Sequence, residues 1–235
     1  MQCFESPTLI YNQDYMKFNI PDLDVDFFQS KRSQMISSDT QNLYQIIYHY
    51  VVNHKVKRVL DLGTGNGILL LMLVKDFTDI ECVGVEIVES LVKLANSNFE
   101  KLSEYIGKEI DYSIILANYA SYDYLDGEYD LIISNPPYNL KNCGRLSPIY
   151  EKSIARFELE ATQFELLNTI KQKLSKMGTS YIIYPKARMK ELIMNCEKLL
   201  LNCSIFKEIS DESLNNINKV SNNSKFIFKI SHAKN

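Results

Sequence analysis

The chain has 235 residues, 46% of them hydrophobic and 23% charged, which is enough for one α/β domain with a complete core. Its formal net charge of −3 excludes a global basic field for nucleic acid, so any polyanion must be met by local patches. Five cysteines without a C-x-x-C pair suggest neither a disulfide framework nor a zinc site. No apolar run nears the roughly 20 residues that cross a bilayer, so the protein is expected to be cytoplasmic, with no membrane and no metal.

In chain order, residues 1–36 read as an N-terminal extension rather than an independent domain, with residues 37–235 forming the main domain. Thr8-Leu9-Ile10-Tyr11 and Tyr15-Met16-Lys17-Phe18 flank a polar turn and predict a small hairpin. Capping-type residues Ser38-Asp39-Thr40 start a helix that carries Leu43, Ile46, Ile47, Tyr50 and Val51 at spacings of three and four, ending near Asn53. The spacing then predicts strand Val59–Leu62, helix Ile68–Lys75, strand Glu81–Val85, helix Val88–Phe99, and strands Tyr112–Leu116 and Tyr129–Ser134. Helix Glu158–Lys176, strand Ser180–Tyr184 and helix Lys186–Leu201 follow, with Lys171, Lys173 and Lys176 read as a basic helix end before a glycine cap at Gly178. Strands separated by helices argue for a doubly wound, mostly parallel sheet. The last two strands, Cys203–Glu208 and Lys225–Ile230, have no helix between them and predict an antiparallel C-terminal hairpin. The Asn- and Ser-rich stretch Asp211–Ser224 between them reads as a solvated connection.

Two strand ends carry chemistry. After Asp61-Leu62 come Gly63, Gly65 and Gly67 and then a helix, a loop whose backbone can approach a ligand closely because it lacks side chains. A dinucleotide fold would need glycine at position 68, which is Ile68. The spacing Asp61-x-Gly63-x-Gly65-x-Gly67 instead resembles the first motif of class I S-adenosylmethionine-dependent methyltransferases, which implies a Rossmann-like fold with that cofactor. Glu86, closing the next strand, is placed to take ribose hydroxyls as charge-assisted hydrogen bonds, although it also suits the start of the following helix. Asp61 is assigned to the loop or to the cofactor's amino group. The resemblance further assigns Asn118, at the end of the third strand, to the adenine of the cofactor, where relatives often have Asp.

The second strand end is Ser134-Asn135-Pro136-Pro137-Tyr138. Asn and Pro also punctuate ordinary turns. Beside a sulfonium donor, however, the Asn135 side-chain oxygen and the Pro136 carbonyl become acceptors aimed at the hydrogens of a conjugated amine. They favour the pyramidal form that frees its lone pair. Pro137 completes the candidate catalytic motif and Tyr138 offers a ring on which a base can stack. The acceptor must be unstacked to enter, as in a loop or a flipped nucleotide.

Together these motifs resemble the amino-methyltransferases with an Asn-Pro-Pro-Tyr signature, and within them the bacterial tRNA adenine-N6-methyltransferases that modify adenine 37 of valine tRNA. The resemblance runs from about Phe27 to Pro185. It includes Asp39 and Thr40, which it places in cofactor binding, and Ala155-Arg156-Phe157-Glu158, where relatives tend to have Ala-Arg-His-Glu. It implies tRNA as partner to a monomer or weak homodimer. Lys141, Arg145 and Arg156 are candidate phosphate contacts, with Lys186, Arg188 and Lys190 a second group. The same Asn-Pro-Pro-Tyr also serves glutamine methylation of release factors and adenine methylation of DNA. An inactive fold that binds RNA or protein is the alternative of another class.

Overall fold

A computed structural model describes residues 14–20, 22–31, 36–139, 153, 158, 160–209 and 224–233. Strands β1 (Tyr15–Phe18) and β2 (Phe27–Ser30) pair antiparallel. Then come α1 (Ser38–Asn53), β3 (Arg58–Leu62), α2 (Ile68–Asp76), β4 (Glu81–Glu86), α3 (Glu89–Ile106), β5 (Tyr112–Leu116) and β6 (Tyr129–Ser134). After them come α4 (Gln163–Lys173), β7 (Leu174–Pro185), a 3-10 turn (Lys186–Arg188), α5 (Met189–Lys198), β8 (Leu201–Ile209) and β9 (Lys225–His232).

The main sheet has seven strands in the order β5-β4-β3-β6-β7-β9-β8. Its first five strands are parallel, while β9 runs antiparallel to both β7 and β8, as the sequence predicts for the C-terminal hairpin. Both faces are covered, which is why the central strands read as unbroken apolar runs. Val59, Leu131 and Ile133 point into one cluster with Leu43, Leu70 and Phe99 of α1–α3. Leu60, Leu62 and Ile132 point into the other with Leu166, Ile170 and Leu192 of α4 and α5. The strand order reverses between β3 and β6, with Asp61 opposite Ile133, and such a switch point opens a crevice at the carboxyl ends of the two strands. The glycine loop and the Asn-Pro-Pro-Tyr motif are the continuations of those two strands.

The helix expected over Val88–Phe99 runs on to Ile106, where Gly107 caps it, and three further expectations change. Tyr15–Phe18 is a strand, but its partner is Phe27–Ser30, and the arm predicted at 8–11 lies outside the described residues. The pairing is fixed by burial of Phe27 and Phe28 against α3, where the Asn98 amide accepts from the Phe28 N–H (2.9 Å) and donates to the Phe28 carbonyl (2.8 Å). The helix expected from Glu158 to Lys176 begins at Gln163, because Thr162 and Glu165 form a reciprocal capping box, and ends at Lys173. Leu174 already pairs with Tyr129, so Lys176 and Gly178 belong to β7 and Gly178 is no helix cap. Lys173 reaches the Leu125 carbonyl instead of solvent. Finally, the helix expected from Lys186 starts with a 3-10 turn and reaches only Lys198.

Candidate active site

The glycine loop is shaped by backbone that only glycine adopts readily. Gly63, Gly65 and Gly67 have φ of 79°, 58° and 75°. The Gly63 and Thr64 N–H groups donate to the Val85 carbonyl at 2.9 and 3.0 Å, folding the loop across the end of β4. That approach depends on a glycine the motif reading missed. A Cβ on Gly84 would lie 2.8 Å from the Thr64 Cγ2. Asn98, also missed, is fully buried and donates to the Asn66 carbonyl at 3.3 Å, tying the loop to the β1–β2 hairpin. Its Asn identity carries no signal in a chain where that residue is common.

Two acids sit beneath the loop. Glu86 Oε2 accepts from the Gly65 N–H, and Oε1 accepts from the Ile87 and Val88 N–H groups, each at 2.9 Å. Burial raises its pKa against these three donors. A carboxylate has about four lone-pair sites, so oxygens holding three donors retain capacity for a hydroxyl. Asp61 is 2% exposed, and burial pushes its pKa up to about 7, with the Thr64 hydroxyl opposing and Glu86 adding to the rise.

Thr40, Asp61, Gly63, Gly65 and Asn135 line one cavity, so the donor loop and the acceptor motif meet there. The motif is held at its start by the buried Ser134 hydroxyl, which donates to the Leu62 carbonyl of β3 at 2.6 Å. Asn135 Oδ1 is buried and finds no hydrogen-bond partner among the described residues. A buried acceptor left open costs about 1–3 kcal/mol, so this atom has the capacity to take a donor that enters the cavity. An N–H group of a planar amine or amide meets that need. The loop of three glycines with an acid at the next strand end suits a nucleoside with hydroxyls and close backbone approach, the class expected from the sequence.

The remaining expected residues divide. Thr40 faces the cavity, whereas the neighbouring Asp39 carboxylate is paired with Lys225 of β9. The Lys225 ammonium also lies 5.2 Å from the centre of the Tyr138 ring. Burial alone would lower its pKa, but the Asp39 and Tyr138 oxygens reverse this and hold it above the ordinary value. Asn118 stands just past the end of β5 with its side chain engaged within the chain, donating to the Glu160 carbonyl ahead of α4 (2.8 Å) and accepting from the Ala120 N–H of its own loop (2.9 Å). Lys141, Arg145 and Arg156 lie outside the described residues. Arg188 is no surface phosphate contact. Its side chain is 9% exposed and faces Glu158, Glu191 and the Tyr138 carbonyl. Sequence reading missed this role because a Lys-Ala-Arg run at a helix start looks solvated, and the strand end that buries it is distant in the chain.

Comparisons with known proteins agree with this geometry. The family model described as a methyltransferase domain matches residues 53–229. The tRNA1(Val) (adenine(37)-N6)-methyltransferase of Trichodesmium erythraeum is 30% identical over 155 residues, covering 63% of this chain and 60% of the relative. The protein of the same description from Pedobacter heparinus is 31% identical over 173 residues, covering 71% of this chain and 69% of the relative. A release factor glutamine methyltransferase of Buchnera aphidicola is 29% identical over 138 residues, 57% of this chain and 47% of that protein. The chain thus spans between about half and two thirds of the length of these relatives. Among solved structures, a SAM-dependent O-methyltransferase of Thermotoga maritima superposes with a TM-score of 0.55 at 16% identity, covering 87% of this chain and 69% of that one, a likeness of fold. With the glycine loop, the buried acids and the family match in one Rossmann-like sheet, the chain belongs to the methyltransferase domain family.

Proposed function

We propose that this chain transfers a methyl group from S-adenosylmethionine to the N6 amine of an adenine in tRNA, with adenine 37 of valine tRNA as the position that the names of its relatives suggest. The single observation that carries the reading is the buried, unpartnered Asn135 oxygen facing the cavity of the glycine loop. S-adenosylmethionine supplies, when bound, an electrophilic methyl on a sulfonium. Gly63, Gly65 and Glu86 would hold its nucleoside, with Asp61 and Thr40 toward its amino-acid arm. Asn135 Oδ1 and the Pro136 carbonyl accept the two amine hydrogens, which localises the nitrogen lone pair toward the donor. Tyr138 stacks on the base, a contribution on the order of 1–3 kcal/mol. Positioning of this kind is the main catalytic need of an in-line displacement. Lys141, Arg145 and Arg156 are proposed to meet RNA phosphates, and the enzyme is proposed to act as a monomer or weak homodimer in the cytoplasm. Among the described residues no helix is long and apolar enough to cross a membrane.

A glutamine side-chain amide presents the same planar NH2, and one relative is named for that reaction, so release factor methylation is the second reading. Incubation with S-adenosylmethionine labelled in the methyl group, together with tRNA, duplex DNA and release factor, separates the two. The expected result is label on tRNA. Label confined to protein would reject the adenine reading while keeping the Asn135 chemistry.

A further inference from the structure

Glu158 closes the Ala-Arg-Phe-Glu run that the sequence resemblance singled out without giving it a task. In the structure it meets Arg188. The guanidinium Nη1 donates to the Tyr138 carbonyl at 2.7 Å and lies 2.9 Å from Glu158 Oε1. Nη2 donates to Glu158 Oε2 at 3.2 Å, and Nε donates to Glu191 Oε2 at 2.7 Å. The Glu158 main chain completes the arrangement, since its N–H donates to the Asn139 carbonyl at 2.8 Å. Two consecutive carbonyls after the Pro-Pro pair are therefore each taken by one member of a buried ion pair.

We propose that Arg188 and Glu158 are positioning residues that clamp the far end of the Asn-Pro-Pro-Tyr motif and so set the aim of Asn135 and the plane of Tyr138. This rests on the methyl-transfer reading. The mechanics are local. Pro136 and Pro137 have fixed φ, so the stretch from Asn135 to Tyr138 moves nearly as one piece. Its near end is tied to β3 through Ser134 and Leu62, leaving the Tyr138 and Asn139 carbonyls as the points that stop rotation about that tie. Arginine suits this because its planar fork fixes directions that a lysine ammonium leaves free. Burial also matters: Arg188 and Glu158 have side-chain exposures of 9% and 5%, so water does not substitute easily for either partner. Neither residue lines the cavity of the glycine loop, so the clamp acts on the acceptor half alone.

The test uses the full-length chain and two readouts. In steady-state methyl transfer to tRNA, Arg188→Met is expected to lower kcat about 100-fold, the scale of an ångström misplacement. Affinity for S-adenosylhomocysteine should stay within about twofold, as for a distant independent site. Arg188→Lys is expected to recover part of the rate, and it serves as the variant should the methionine protein fail to fold. The second readout is independent of activity. The chain contains no tryptophan, so a Tyr138→Trp substitution places a unique fluorophore in the motif. Adding Arg188→Met or Arg188→Lys to it should raise acrylamide quenching and lower anisotropy. Unchanged quenching and anisotropy, or a slower rate that only tracks weaker cofactor binding, would overturn the clamp. Absence of tRNA methylation by the unaltered chain would instead overturn the functional reading, with the fluorescence comparison still deciding the clamp.

Discussion

Asn135 and Asp61 share one cavity but answer different chemical needs. The Asn135 oxygen lacks a donor among the described residues, so Asn135→Ala is expected to leave S-adenosylhomocysteine affinity within about twofold while lowering turnover at least 100-fold, read by calorimetry beside initial rates. Asp61 carries a proton affinity shaped by burial. Its pKa moves from 3.8 to about 7 on folding, so the native chain holds this proton more tightly than the unfolded one. Stability attributable to Asp61 is therefore fully present below about pH 4 and falls as pH rises to about 7. Asp61→Asn should melt higher than the unaltered chain at pH 8 and converge with it near pH 4, in calorimetric scans of the ligand-free protein. An unaltered chain that remains the more stable at pH 8 would remove the burial argument. The glycines, Glu86 and Asn135 are legible in the sequence because backbone freedom or a specific side chain at fixed spacing leaves a one-dimensional trace. Lys225 and Arg188 are not. Their partners, Asp39 and the Tyr138 carbonyl, are brought to them only by the tertiary fold.

Among the elements, α2 depends on the residue before it. Gly67 has φ of 75°, and a Cβ there would lie 3.1 Å from Phe99 Cε2 and 3.2 Å from Ala95 Cβ of α3. Gly67→Ala is expected to cost at least the roughly 1–2 kcal/mol of a left-handed residue, measured by urea unfolding. An unchanged midpoint would show that α2 and α3 separate at little cost. Strands β5 and β6 begin and end where the sequence predicts because their apolar runs, Ile114–Leu116 and Leu131–Ile133, lie between nearby polar residues, Asp111 and Asn118 for β5 and Glu128 and Asn135 for β6. The end of α4 differs because Leu174-Ser175-Lys176 is compatible with helix, and only pairing of Leu174 with Tyr129 across the sheet turns it into strand. The β1–β2 hairpin differs for the same reason. Local alternation marks Tyr15–Phe18 as strand, but its partner is chosen by burial of Phe27 and Phe28 on α3.

For the whole molecule, the strand order is what turns two motifs into one site. Gly67 and Asn135 are far apart in the chain, and the reversal between β3 and β6 sets their loops side by side. The alternation of strands and helices is legible from residue patterns, but their order in the sheet is not, so a shared cavity follows from the resemblance rather than from pattern. The formal net charge of −3 means that any tRNA affinity must come from local cations. Replacing Lys141, Arg145 and Arg156 together by alanine should weaken tRNA binding and reduce the slope of log affinity against log salt by up to about 3, about one for each phosphate no longer neutralised. An unchanged slope would assign RNA binding to other residues. Whether this cavity methylates an adenine amine in tRNA is tested most directly by nucleoside mass spectrometry of tRNA incubated with S-adenosylmethionine and the protein. N6-methyladenosine is expected to appear with the unaltered chain and to form at least 100-fold more slowly with Asn135→Ala. Methyl groups found only in another nucleoside, or only on glutamine of a release factor, would contradict the adenine-N6 assignment.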